Sequence, residues 1–195
     1  YRNSKDPSTI MKPLLIVGPS GVGKSYLLNL LVEQGNFKTV LSTMTRAPRF
    51  GEKHMVDNEY VSHEEYEKIV KSGDFFMNNE FFGEKYGSRR SFVDEIKKAG
   101  KIPTMIILSQ LVPQFIQEYS DSIAIFLAPK DLELLRLRMQ KRGDSSESIE
   151  KRLKSAQEEI AAYEKFKHLF KYKFEIEKDE DVYGILEEIL EIEFK

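Results

Sequence analysis

The hydrophobic positions of the chain fall into short continuous runs that alternate with stretches of helical spacing. The runs carry almost no charge, which is typical of strands covered on both faces. Strands are predicted at 13–17, 37–41, 104–108 and 123–127. Helices are predicted at 24–34, 92–99, 111–119 and 182–192. In the first helix the apolar face is predicted to contain Leu27, Leu28, Leu31 and Val32. This alternation predicts an α/β fold with a mainly parallel sheet.

Two stretches interrupt the alternation. Residues 42–90 are rich in charge, glycine and aromatic side chains, which predicts an inserted subdomain. Residues 136–155 mix Arg, Lys, Gly and Ser before another helix takes over. Helical spacing there predicts one apolar stripe, formed by Ile149, Leu153, Ala156, Ile160 and Tyr163. The charged run 175–181 predicts a solvated turn, and residues 1–10 predict a polar tail or a remnant of expression.

Composition narrows the classes of function. The 195 residues suit a single domain, and 30 basic against 32 acidic side chains argue against a nucleic-acid partner held by a broad basic surface. The sequence has no cysteine, which excludes a disulfide framework and favours a cytoplasmic setting, and its three histidines are widely spaced. The apolar runs are too short to cross a bilayer. We therefore expect no nucleic-acid or membrane partner, and a monomer or weak homodimer.

One motif carries a specific chemistry. Residues 18–25 read GPSGVGKS and fit G-x-x-x-x-G-K-[ST], a phosphate-binding loop placed between a predicted strand and a predicted helix. Glycines let backbone N–H groups face phosphate oxygens, Lys24 supplies a positive charge, and Ser25 offers a hydroxyl to Mg²⁺. ATP and Mg²⁺ are thus the predicted cofactors. The predicted nucleotide-binding residues are Gly18, Ser20, Gly21, Val22, Gly23, Lys24 and Ser25.

Ordered blocks at 18–25, 42–52 (STMTRAPRFGE), 60–62 (YVS), 81–88 (FFGEKYGS) and 142–159 resemble the guanylate kinase family. The resemblance implies a P-loop NTPase three-layer fold with a parallel central sheet, an inserted monophosphate-binding subdomain and a mobile lid. It implies one domain at 11–195, with its core at 11–41, 91–135 and 157–195, the subdomain at 42–90 and the lid at 136–156. It also implies phosphoryl transfer from Mg·ATP to GMP or dGMP.

The same resemblance implies roles for single residues. The acceptor phosphate would be bound by Ser42, Arg46, Arg49 and Tyr86, and Ser88 would contact the acceptor base. Paired arginines can grip a phosphate through bidentate, charge-assisted hydrogen bonds. The lid arginines Arg138, Arg142 and Arg152 would act with Lys24 on the transferring phosphoryl group.

Three acceptor-site positions depart from the family pattern. Asn58 replaces a phosphate-binding tyrosine, Met77 replaces a glutamate that accepts hydrogen bonds from guanine, and Leu108 replaces a strand-end aspartate. A thioether or an alkyl group cannot pair with guanine N–H donors. Each unpaired group costs roughly 1–3 kcal/mol, so the sequence predicts weakened reading of guanine.

Two functions remain open from the sequence. The first is an active nucleoside monophosphate kinase whose acceptor is GMP, dGMP or a monophosphate with another base. The second is a catalytically impaired, kinase-like module that binds a nucleotide or a protein. The intact loop with Lys24 and Ser25 favours the first, while the lost base-reading acids motivate the second.

Overall fold

The computed structural model describes residues 11–81 and 83–194, so the predicted tail at 1–10 lies outside the described residues. The strands are β1 (Leu14–Val17), β2 (Phe37–Thr39), β3 (Ser42–Met44), β4 (Glu59–Tyr60), β5 (Phe75–Phe81), β6 (Glu84–Arg89), β7 (Ile102–Ile106), β8 (Ile123–Pro129) and β9 (Tyr172–Ile176). The helices are α1 (Lys24–Glu33), α2 (His63–Ser72), α3 (Arg90–Lys98), α4 (Val112–Glu118), α5 (Leu132–Lys141), α6 (Ser146–Phe166) and α7 (Asp181–Glu193).

A five-stranded parallel sheet in the order β2-β7-β1-β8-β9 forms the centre of the fold. Leu14 and Ile16 of β1 pack into one hydrophobic cluster, with side chains of α1 and α7. Leu15 and Val17 pack into another, with side chains of α3 and α4. Successive side chains of a strand point to opposite faces, so β1 contributes to a core on each side. The predicted three-layer P-loop NTPase fold is confirmed.

One strand of this sheet was missed. The charged run 175–181 was predicted to be a solvated turn, which is wrong at its start, because Glu175 and Ile176 end β9. Lys173 and Glu175 are exposed while Ile176 is buried, as on the edge of a sheet. Charged residues on an edge strand hide the continuous apolar signal that identifies a central strand.

The carboxyl end of β7 also differs from the prediction. The strand ends at Ile106 rather than at residue 108, and a 3₁₀ turn follows at Ser109–Leu111. Leu108 therefore lies beyond the strand, with 46% of its surface exposed. An apolar side chain that is half exposed at the carboxyl edge of a parallel sheet stands where such folds bind ligands.

A second, four-stranded sheet in the order β4-β3-β6-β5 is built from residues between 42 and 89. Strand β3 pairs antiparallel with β6, which pairs antiparallel with β5. Helix α2 follows β4 and begins with a capping box, in which Ser62 and Glu65 satisfy each other's backbone N–H groups. This sheet contains four of the eight residues with predicted acceptor roles, namely Ser42, Met77, Tyr86 and Ser88.

The predicted helical stripe on α6 is confirmed. Its members are buried apart from Ile160, which is partly buried, and Tyr163 stacks on Phe126 of the central sheet with ring centroids 4.0 Å apart. The predicted apolar face of α1 is wrong at Val32, which is exposed. Among the described residues, no helix has both the length and the apolar character needed to cross a membrane.

Two glycines test the packing of the fold in opposite directions. A Cβ at Gly87 of β6 would lie 2.5 Å from the Phe75 ring, which is packed against Tyr66 at 4.6 Å between centroids. We expect Gly87→Ala to lower the free energy of unfolding by about 1–3 kcal/mol, because the ring has to move.

The matched substitution is Gly184→Ala in α7. A Cβ there meets nothing within 4 Å, so we expect the free energy of unfolding to rise by about 0.5–1 kcal/mol through the higher helix propensity of alanine. Urea denaturation of the two variants and the parent measures both effects. Two changes of the same sign would contradict this packing.

Candidate active site

The phosphate-binding loop lies between β1 and α1, as predicted. Gly18 (φ 145°) and Gly23 (φ 118°) have backbone conformations that other residues rarely adopt. A Cβ at Gly18 would also lie 2.4 Å from the carbonyl oxygen of Leu127. The first N–H groups of α1 have no partner within their helix. Together with the positive end of the helix dipole they suit the binding of an anion.

Lys24 is the cation of this loop, and it is mostly but not fully buried. Its Nζ donates to the carbonyl oxygens of Gly18 (2.6 Å) and Pro19 (2.8 Å). Burial lowers the pKa of Lys24 to about 8, while the negative charge of Glu159 acts in the opposite direction. A desolvated ammonium group gains more from an arriving phosphate than one that is already in water.

Two of the three arginines that were predicted to belong to a lid touch this loop. Arg138 donates to the carbonyl oxygen of Val22 at 3.1 Å, and Arg152 donates to the hydroxyl of Ser20 at 3.1 Å. Arg142 does not join them, because it pairs with Asp144 and its side chain is 52% exposed. This pairing lowers the pKa of Asp144. Arg142 would have to leave Asp144 to reach a phosphate.

A cavity of about 490 Å³ opens beside the loop and contains residues that the sequence did not indicate. Arg138 pairs there with Asp179 at 2.6 Å. The hydroxyls of Tyr26 and Tyr183 are hydrogen-bonded, and their rings meet edge to face with centroids 5.9 Å apart. The position of this cavity at the start of α1 suits the nucleoside part of ATP. Residues 26 and 183 are too far apart in sequence for any local pattern to connect them.

The predicted clamp for the acceptor phosphate follows β3. Arg46 forms a bidentate pair with Glu52, with nitrogen–oxygen distances of 2.7 and 3.0 Å. Hydrogen bonds from Arg46, from the backbone of Arg49 and from Tyr60 lower the pKa of Glu52 to about 2, so this carboxylate stays charged. The Arg49 side chain is exposed, and its guanidinium has no partner within the described part of the chain. Asn58 donates to the hydroxyl of Tyr60 at 3.1 Å.

The four-stranded sheet presents a row of side chains to a second cavity, of about 270 Å³. Ser42 of β3 lies opposite Ser88 of β6, which lies opposite Met77 of β5. Residues directly opposite one another in antiparallel strands share a face, so the three side chains form one line. All three line the cavity, and Met77 and Ser88 are 5% and 6% exposed. The hydroxyl of Ser88 has no hydrogen-bond partner among residues 11–81 and 83–194.

A parallel row one step along the same face adds Met44, Tyr86 and Asn79. The other wall of the cavity is the carboxyl end of β7, with Ile106 and Leu108. At the two positions where the resemblance implies carboxylates, this cavity has a thioether group, Met77, and an alkyl group, Leu108. Its charged wall residue is Lys24, so the phosphate loop and the predicted acceptor residues face one space.

One buried carboxylate near this cavity was not predicted. Glu159 of α6 is 5% exposed and accepts from the N–H and the hydroxyl of Ser109, at 2.7 and 2.8 Å. It ties α6 to the turn after β7. The pair is separated by 50 residues in sequence, so only the fold brings it together.

The residues present fit ATP and a magnesium ion. Lys24 and the N-terminus of α1 suit phosphates, and the exposed hydroxyl of Ser25 suits a hard cation. No group of three or more His, Asp or Glu side chains within the described ranges forms a metal site of its own. A magnesium ion would therefore be held by Ser25 together with phosphate oxygens, the usual arrangement for this cation.

Comparison with known proteins decides the family. The guanylate kinase family model matches residues 10–193. A guanylate kinase of Schizosaccharomyces pombe is 37% identical over 158 residues, which are 80% of this chain and 78% of that protein. The chain belongs to the guanylate kinase family. A guanylate kinase of Idiomarina loihiensis is also similar, with 35% identity over 159 residues, which are 80% of this chain and 76% of that protein.

A solved guanylate kinase structure agrees with this assignment. The crystal structure of guanylate kinase from Anaplasma phagocytophilum superposes with a TM-score of 0.71 at 26% identity, covering 96% of this chain and 88% of that one. As a guanylate kinase family member, this chain is a nucleoside monophosphate kinase.

The lowered pKa of Lys24 predicts how ATP affinity depends on pH. The ammonium form binds phosphate, and the pKa in the free enzyme is about 8, so the ammonium form is lost as the pH rises through that value. Calorimetric titration should show ATP binding weakening above about pH 8, by at most roughly tenfold per pH unit.

Lys24→Arg provides the control for this pH dependence. A guanidinium stays charged in proteins, so the affinity of this variant for ATP should not fall over the same range. An ATP affinity of the parent protein that is equal at about pH 7 and about pH 9 would contradict the account of Lys24.

Proposed function

We propose that this kinase transfers the γ-phosphoryl group of ATP to GMP, dGMP or a monophosphate with another base, and that it holds its acceptor through the phosphate more than through the base. One observation carries the proposal: Lys24 of the phosphate loop lines the same cavity as Tyr86 and Ser88. A donor phosphate at the loop and an acceptor phosphate at Tyr86 would meet there. Such proximity is the main requirement of phosphoryl transfer.

The charges around the cavity suit this reaction. Lys24 and Arg152 would stabilise negative charge on the transferring group, and Arg138 would hold the loop through the carbonyl oxygen of Val22. Ser25 would hold the magnesium ion, which would supply positive charge next to the phosphates. Arg142 would join when it leaves Asp144, which makes residues 136–156 the proposed lid.

The apolar wall supports reduced specificity for guanine. Guanine carries N–H donors at N1 and N2, and Met77 and Leu108 offer them no carboxylate. Ser88 can form one hydrogen bond with a base, but a hydroxyl does not replace two charged acceptors. We therefore expect similar kcat/KM values for acceptors with and without the 2-amino group.

A binding module without turnover is not favoured, because the relatives that the chain matches are guanylate kinases and the loop retains Lys24 and Ser25. The proposed setting is the cytoplasm, and the proposed state is a monomer or weak homodimer; both stay predictions. The lack of a nucleic-acid or membrane partner is likewise an expectation from the sequence.

The proposed reaction is tested with Mg·ATP and a panel of GMP, dGMP, IMP, AMP, CMP, UMP and TMP, by following ADP release. We expect turnover of at least one acceptor, and we expect Lys24→Ala to abolish it with the circular dichroism spectrum unchanged. If no acceptor supports ADP release above the Lys24→Ala background, the kinase function is refuted.

The proposed base preference has its own test. GMP and IMP differ by the 2-amino group, and we expect their kcat/KM values to agree within roughly tenfold, the effect of one hydrogen bond. Restoring both acids with Met77→Glu and Leu108→Asp should raise kcat/KM for GMP by roughly tenfold or more. Met77→Leu, which adds no acceptor, is the control and should leave the GMP to IMP ratio unchanged. A strong preference of the parent protein for GMP would contradict this interpretation.

A further inference from the structure

Asn58 leaves the acceptor clamp without the tyrosine of the family pattern, and a different tyrosine stands beside it. Tyr60 is the second residue of β4 and lies opposite Met44 of β3. Met44 in turn lies opposite Tyr86 of β6. The three side chains therefore form one row across the sheet. This row lies on the face where Met44 and Tyr86 line the proposed acceptor cavity.

The neighbouring residue confirms which way Tyr60 points. Glu59 accepts a hydrogen bond from Thr43 at 2.5 Å and pairs with Arg89 at 2.8 Å. These contacts lie on the opposite face of the sheet, since successive side chains of a strand alternate. Tyr60 is thus directed to the acceptor side by the strand itself.

The hydroxyl of Tyr60 is already part of the phosphate clamp. It donates to Glu52 Oε2 at 2.8 Å, and it accepts from the side-chain amide of Asn58 at 3.1 Å. The same carboxylate oxygen accepts from Arg46, whose guanidinium lies 5.5 Å from the centroid of the Tyr60 ring. One carboxylate thus holds a phenol and a guanidinium side by side, and Asn58 orients the phenol.

We propose that Tyr60 is an acceptor-binding residue of this enzyme, and that its hydroxyl donates a hydrogen bond to the acceptor phosphate next to Arg46. This rests on the proposed function. The role that the family gives to the position of Asn58 has moved two residues along the chain, to the next side chain on the same face of the sheet. Burial raises the pKa of Tyr60, so the hydroxyl keeps its proton and remains a donor.

Glu52 can lose its hydrogen bond from Tyr60 and still be held in position by other hydrogen bonds. It also accepts from the backbone N–H of Arg49 at 2.7 Å and forms the bidentate pair with Arg46. A phosphate that takes the hydroxyl of Tyr60 therefore leaves this carboxylate with charge-assisted partners. When the hydroxyl of Tyr60 changes its acceptor from Glu52 to the phosphate, the pair of Arg46 and Glu52 is kept and the phosphate gains one hydrogen bond.

The proposal is tested by calorimetric binding of GMP and of guanosine, without ATP, to the parent protein and to Tyr60→Phe. We expect Tyr60→Phe to weaken GMP binding by roughly tenfold, the effect of one hydrogen bond to a charged group, and to leave guanosine binding unchanged. In steady-state assays the KM for GMP should rise by a similar factor, with kcat and the KM for ATP nearly constant.

Two further variants complete the experiment. Asn58→Tyr in the Tyr60→Phe background returns a phenol to the family position and should recover most of the lost GMP affinity. Tyr172→Phe, which removes a hydroxyl bonded to Glu193 at 2.5 Å and far from the clamp in sequence and contacts, should bind GMP as the parent does.

Three results would overturn the assignment: unchanged GMP affinity in Tyr60→Phe, equal losses for GMP and guanosine, or no recovery in the double variant. None of them bears on turnover by the parent protein. A parent protein that binds GMP through Tyr60 but releases no ADP would instead refute the proposed reaction and leave this assignment standing.

Discussion

The site depends on one mostly buried positive charge. Lys24 is held by two carbonyl oxygens of its own loop and is desolvated enough that its pKa falls to about 8. A phosphate that arrives at this loop is expected to stabilise the ammonium group, because the anion replaces lost solvation and adds to the attraction of Glu159. Arg138 and Arg152 attach α5 and α6 to the same loop. The loop and the two arginines are therefore organised around Lys24.

The acceptor side is organised by strand pairing rather than by charge. Two rows of side chains cross the four-stranded sheet, and the pairing of β3 with β6 fixes which of them face the cavity. This places Ser42, Ser88 and Met77 in one line and Tyr86 in the next. A shift of one residue in β3 or β6 would turn the side chains of that strand away from the cavity. Hydroxyl groups survive on this face, while the carboxylates of the family pattern do not. The enzyme thus retains the groups that we propose to hold phosphate and lacks the carboxylates that the resemblance implies for reading guanine.

The sequence predicted the parts of the molecule whose signals are local. The phosphate loop is eight consecutive residues, and β1 and β8 are uninterrupted apolar runs. All three were therefore predicted. Strand β9 was missed because its charged residues alternate with apolar ones at the sheet edge. The pair Tyr26–Tyr183 is separated by 157 positions, and only the docking of α7 on α1 creates it. The sequence shows a tyrosine at position 60 but does not indicate that it belongs to the site. The direction of its side chain depends on the pairing of β4 with β3.

The central claim is that this family member holds its acceptor by the phosphate more than by the base. Calorimetric titration of the protein with ribose 5-phosphate and with GMP tests this most directly, since ribose 5-phosphate carries a hydroxyl where GMP carries the base. The account predicts that ribose 5-phosphate binds within roughly tenfold of GMP, because Met77 and Leu108 offer the base little more than apolar contact. Binding of ribose 5-phosphate that is roughly a thousandfold weaker, about 4 kcal/mol, would contradict it.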